Sequence, residues 1–138
     1  MLAVARQTLD NAGVTNVELS EGSATELHFP DNTFDVLYNA YMLDLIPLAV
    51  MAGIVTEFKR VLKPGGRLIL LNMSKRDAQI TTWRERLYPL LPPRLALYII
   101  GGCRPVLMEQ TVKQAGFGTV TREFLEGQFP SEIVTAIK

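Results

Sequence analysis

Residues 34–47 read FDVLYNAYMLDLIP, residues 57–66 read EFKRVLKPGG and residues 67–73 read RLILLNM. In order these are an apolar strand, an apolar loop, the end of a helix, a glycine stop and a second apolar strand. Phe34 to Asn39 is interrupted only by Asp35 at its entrance. Pro47 to Leu62 is predicted helical, with Val50, Ile54, Phe58, Val61 and Leu62 on one apolar stripe and Glu57, Lys59 and Arg60 on other faces. Glu57 and Arg60, at i,i+3 spacing, are expected to pair for about 0.2–0.5 kcal/mol. Lys63-Pro64-Gly65-Gly66 ends the helix, because proline cannot continue it and glycine accepts positive φ. Leu68 to Leu71 is uninterrupted apolar chain, the pattern of a strand covered on both faces. A strand–helix–strand unit of this kind makes a parallel pair, and ligands bind in the crevice outside the carboxyl ends of such strands.

Toward the N-terminus, Leu2 to Asn11 reads as a helix. Leu2, Ala5, Leu9 and Ala12 recur at helical spacing and Gly13 supplies the stop. Asn16 to Ser20 (NVELS) alternates and is predicted to be a strand. Gly22 to Thr33 is a polar loop whose Pro30-Asp31-Asn32 is a turn signal, since proline presets φ and Asp or Asn tolerates turn geometry. Toward the C-terminus, residues 73–105 crowd Trp83, Leu87, Tyr88, Leu95 and Tyr98 around Pro89, Pro92 and Pro93. That segment is expected to be an apolar insertion or lid made of short helices. Met108 to Ala115 is a short helix stopped by Gly116. Thr119 to Phe124 and Ile133 to Ile137 close the chain as two strands, expected to pair antiparallel.

The chain has 138 residues, 48% apolar and 20% charged, which suits a single globular domain with a real core. Fourteen basic and fourteen acidic residues cancel, so the net charge points to neither nucleic acid nor an anionic membrane. One cysteine, Cys103, excludes an intramolecular disulfide framework. With one histidine, His28, a Cys/His zinc site is not expected either. The N-terminal residues lack an apolar core of signal-peptide length and LALYII (95–100) is too short to span a bilayer, so a cytoplasmic address is expected.

GSATELHFPDNTFDVLYNAYMLDLIP (22–47) followed by EFKRVLKPGGRLILLNM (57–73) resembles the class I S-adenosylmethionine-dependent methyltransferases, in particular the branch that methylates quinones and phospholipids. GGCRPV (101–106), GFGTV (116–120) and PSEIV (130–134) are similar to the C-terminal part of such enzymes. The resemblance implies a seven-stranded Rossmann-like α/β sheet of order 3-2-1-4-5-7-6, with strand 7 antiparallel. On that scheme Asn16 to Ser20 is strand 3, Phe34 to Asn39 is strand 4, Arg67 to Asn72 is strand 5, and the last two segments are strands 6 and 7. Strands 1 and 2 have no counterpart here, so the expected fold is a partial sheet over residues 1–138. No GxGxG loop occurs to wrap the cofactor, and no acidic residue follows a second strand to receive its ribose. The expectation is a truncated reading frame whose product binds S-adenosylmethionine weakly or not at all. A further expectation is that strand 3 moves against the bare edge of strand 4, or that a second copy or another chain covers it.

The resemblance also places site residues. Ser23 and Ala24 fall where the family contacts adenine; Ser23 is either a hydrogen-bonding group there or a polar turn residue. Asn39 and Ala40 lie at the methionine end of the cofactor. Tyr41 is either a wall of the acceptor pocket or core. Asp44 is a base or a partner for the sulfonium charge, or else the cap of the helix that follows. Trp83 and Tyr88 are acceptor contacts or lid core. Methyl transfer asks mainly for alignment in a dry pocket, so no acid/base pair is required. Two functions follow: methyl transfer to a small lipid-like or quinone-like acceptor, or a non-catalytic remnant or partner subunit of another methyltransferase. A phosphate-binding α/β protein has no supporting motif.

Overall fold

The computed structural model describes residues 2–77, 90, 105–127 and 129–138. Its elements run α1 (Leu2–Asn11), β1 (Phe34–Ala40), a one-turn 3-10 helix (Leu43–Leu45), α2 (Leu48–Val61), β2 (Leu62–Met73), α3 (Glu109–Gln114), β3 (Gly118–Leu125) and β4 (Ser131–Ile137). The expected insertion at 73–105, with Trp83, Tyr88 and Cys103, falls mostly outside the described residues.

The four strands form one sheet of order β1-β2-β4-β3. β1 and β2 are parallel, whereas β4 runs antiparallel to both β2 and β3. This is the 4-5-7-6 portion of the expected order, with the antiparallel strand where it was anticipated. Leu37, Leu68 and Ala136 lie side by side across the sheet, followed by Asn39, Leu70 and Val134. Their face packs against α2 and α3, where Met51, Ile54, Val55, Phe58 and Val112 are buried with Leu68, Leu70 and Val134. Burying an aliphatic or phenyl side chain of this size contributes about 1.5–3 kcal/mol.

Three expectations are corrected. Val50 is exposed, and Met51 and Val55 share the buried stripe of α2 with Ile54, Phe58 and Val61. Leu68 and Leu70 are buried but Ile69 and Leu71 only half so: β2 has one closed face, because the helices described cover one side of the sheet. Asn16–Ser20 forms no strand and is not paired with β1. Strand geometry needs a ladder partner, and this segment has none among the described residues, so alternation alone does not hold it extended. α1, although formed as expected, contributes no buried residue.

The expected turn at Lys63-Pro64-Gly65-Gly66 is corrected too: α2 ends at Val61, and these residues form the distorted entrance of β2, where the β1–β2 register shifts between Phe34 and Val36. Gly65 takes φ +77°. Gly66 passes so close to its neighbours that an added Cβ would stand 2.8 Å from the Lys63 carbonyl oxygen and 3.2 Å from that of Asp35. The two glycines thus have separate reasons, one torsional and one steric.

Candidate functional site

The carboxyl ends of the parallel strands meet at Ala40 and Leu71, and the Tyr41 N–H donates to the Leu71 carbonyl at 2.8 Å. Beside the outer edge of β1 runs a groove of about 650 Å³. One wall carries Phe34, Tyr38 and Asn39; the other is the loop that includes Ser23, Ala24 and His28. Three of the residues predicted from sequence, Ser23, Ala24 and Asn39, are therefore brought to one cavity from segments on either side of it. Ala40 and Tyr41 follow at its carboxyl end without lining it.

The loop wall is held by a clamp from α2. Arg60 donates to the Leu27 carbonyl at 2.9 Å, the Phe29 carbonyl at 2.9 Å and Asp31 Oδ1 at 2.6 Å. Glu57 Oε1 accepts from the same guanidinium at 2.6 Å and from the Leu27 N–H at 2.9 Å. These bonds hold the Glu57 carboxyl at about 2, far below its ordinary 4.5; the Arg60 hydrogen bond contributes most, then that of Leu27, with partial burial opposing both. Glu57, and after it Asp31, raises the Arg60 guanidinium further above its already high value. The i,i+3 spacing revealed the pair but not its work: the loop carbonyls it fixes are some thirty residues away in sequence.

Asn39 and Ser23 differ in what they offer a ligand. Asn39 Oδ1 is buried and has no hydrogen-bond partner among the described residues, which leaves an acceptor available for a donor in the groove. Ser23 Oγ is already engaged, lying 2.7 Å from Thr25 Oγ1 and accepting from the Thr25 N–H at 3.3 Å. That is the geometry of a serine turn. Asp44 is 1% exposed within the 3-10 turn. The expectation that it caps the next helix is corrected: Pro47 is the N-cap of α2, no side chain caps it, and Asp44 lies too far before that position. Asn72, unremarked in the sequence beyond closing a strand, is fully buried at the end of β2 with both amide atoms unpartnered among the described residues. No local pattern marks it, because its burial is created by the elements packed over the sheet.

A parallel pair open at its carboxyl ends, extended by an antiparallel pair, defines a Rossmann-like α/β sheet with a ligand groove. Residues 1–70 match the family described as "Methyltransferase domain". The chain belongs to this family, the class I S-adenosylmethionine-dependent methyltransferases, whose cofactor is S-adenosylmethionine. The demethylmenaquinone methyltransferase of Listeria welshimeri is 39% identical over 85 residues, covering 62% of this chain and 34% of that protein. The ubiquinone/menaquinone biosynthesis C-methyltransferase UbiE of a Marinomonas species is 37% identical over 95 residues, covering 67% and 37% respectively. The match thus spans about a third of the length of these curated relatives. Among solved structures, the cyclase SpnF superposes with a TM-score of 0.74 at 21% identity, over 99% of this chain and 61% of its own. A methyltransferase from Aquifex aeolicus superposes at 0.58 with 20% identity, over 96% and 61%. These two establish the fold; that one of them is a cyclase shows that the sheet does not fix the reaction.

Among the described residues, no helix is long and apolar enough to cross a membrane.

Proposed function

We propose that this chain supplies the acceptor-side wall of an S-adenosylmethionine-dependent methyltransferase acting on a small, quinone-like acceptor. The observation that carries the reading is the groove at β1, in which the buried Asn39 Oδ1 awaits a donor beside Ser23 and Ala24. The cofactor fits that demand, since its amino groups are donors. When bound, it supplies a methyl group already activated on a sulfonium. Asn39 and Ala40 orient its methionine end, and Ala24, with the backbone of the Ser23 turn, borders the adenine. Tyr41 and Asp44 belong to the acceptor side; Trp83 and Tyr88, which the resemblance assigns to it, lie outside the described residues. The quinone-like class is supported by the names of the relatives, and a reducing, cytoplasmic setting by the single cysteine.

The affinity of this chain alone for the cofactor is expected to be weak, because no glycine-rich loop is present to wrap it. Titration of the 15N-labelled chain with S-adenosylhomocysteine tests this. Millimolar binding is expected, with shifts concentrated at Ser23, Ala24 and Asn39 that are lost in Asn39→Ala. Shifts confined to other surfaces, or none, would overturn the assignment.

A second reading is favoured by two bare surfaces. The outer edge of β1 has no partner among the described residues, and α1 buries nothing. A second copy, or a subunit of another methyltransferase, covering that edge would close the groove.

A further inference from the structure

The groove beside β1 carries charge of one sign. Glu18 and Glu21 line it, and among the described residues no lysine or arginine does. Both glutamates are exposed, and neither has a hydrogen-bond or ion-pair partner among the described residues. Arg60, which holds the loop wall, does not offset them. A guanidinium has five N–H donors. Here they are spent on the two Glu57 oxygens, on Asp31 and on the Leu27 and Phe29 carbonyls. The carboxylates of Glu57 and Asp31 also answer its single charge. On the opposite wall stands Asn39 Oδ1, a buried acceptor without a partner. The groove thus offers a ligand negative charge and an unmet acceptor, with no free cation to balance them.

Methyl transfer breaks the methyl–sulfur bond of the cofactor: the methyl passes to the acceptor, and the electron pair stays on sulfur. The spent product is a neutral thioether, one positive charge poorer and otherwise the same molecule. We propose that Glu18 and Glu21 make the groove a charge filter, which holds the sulfonium-bearing donor more tightly than its neutral product and turns away anionic nucleotides. The inference rests on the methyl-transfer reading and adds a regulatory property of the same site: loss of the charge favours release of the product. The attraction acts through water, so it reaches far at low salt and is screened as salt rises.

The test titrates the full 15N-labelled chain with S-adenosylmethionine, S-adenosylhomocysteine and AMP. Working at pH 7.5, where an ordinary imidazole is uncharged, keeps His28 on the groove wall out of the balance. At about 0.01 M salt the sulfonium compound is expected to bind about three- to fivefold more tightly than the thioether, the scale of two exposed carboxylates acting through water. AMP is expected to bind most weakly of the three. The preference is expected to fall to about one at about 1 M salt, where screening is complete within a few ångströms. Glu18→Gln with Glu21→Gln is expected to abolish it at low salt, and Glu18→Lys with Glu21→Lys to reverse it, a response that a merely structural role would not produce. Equal binding of the two sulfur compounds by the unaltered chain, or a preference that survives the glutamine substitutions or high salt, overturns the proposal. If S-adenosylhomocysteine shifts Asn39 without such a preference, the charge filter fails and the groove assignment stands. If none of the three ligands shifts Asn39, the methyl-transfer reading itself fails, and the filter with it.

Discussion

At Glu57 a single carboxylate ties α2 to the loop that forms one wall of the groove. Its folded pKa of about 2 lies below the ordinary 4.5. A depressed carboxyl contributes stability in full above the unfolded value and loses it as pH falls through the folded one. The gap in urea midpoint between the unaltered chain and Glu57→Gln is accordingly expected to be widest near neutrality and to shrink from pH 4.5 toward about 2. A gap independent of pH would remove the clamp from the account. The sequence showed that Glu57 and Arg60 sit on one helix face, but not that Leu27, Phe29 and Asp31 would lie against them. Asp44 shows the opposite error: its residue type suited a cap, and the start of α2 at Pro47–Leu48 left that role unfilled.

Elements were more legible than their faces. α1 was predicted with the bounds observed, and α2, β1 and the two C-terminal strands differ from their predicted spans by a residue or two, because apolar periodicity and glycine or proline stops are local signals. The register of the α2 stripe was less legible. Met51, Ile54, Val55 and Phe58 face the sheet, and Val50 does not. Ile54→Ala is expected to cost about 2–5 kcal/mol, the usual price of a core cavity, while Val50→Ala stays within about 0.5 kcal/mol. Chemical denaturation distinguishes the two, and equal losses would mean that the stripe is misassigned. NVELS failed as a strand for a different reason. Its alternation is genuine, but pairing is a property of two segments, and among the described residues no second segment pairs with it.

At the scale of the molecule, the sheet of the described residues ends on one side at β1, whose Val36 is 53% and Tyr38 62% exposed. β1 has neither lysine nor proline within it, two common guards of open edges. Sedimentation of the unaltered chain is expected to show concentration-dependent association that Val36→Lys removes, with the urea midpoint nearly unchanged. A chain monomeric at every concentration would take the edge out of the second functional reading. By itself, the sequence determined the order and type of most elements, the end of α2 just before Lys63-Pro64-Gly65-Gly66 and membership of the methyltransferase family, all of which rest on local pattern and wording. Tertiary structure alone decided that Ser23, Ala24 and Asn39 share one groove, that Arg60 holds its wall, and that Tyr41 meets Ser131, ninety residues away. The physical reason is that burial, unmet hydrogen bonds and contacts between remote side chains arise only when distant segments are packed together, and no local spacing encodes them.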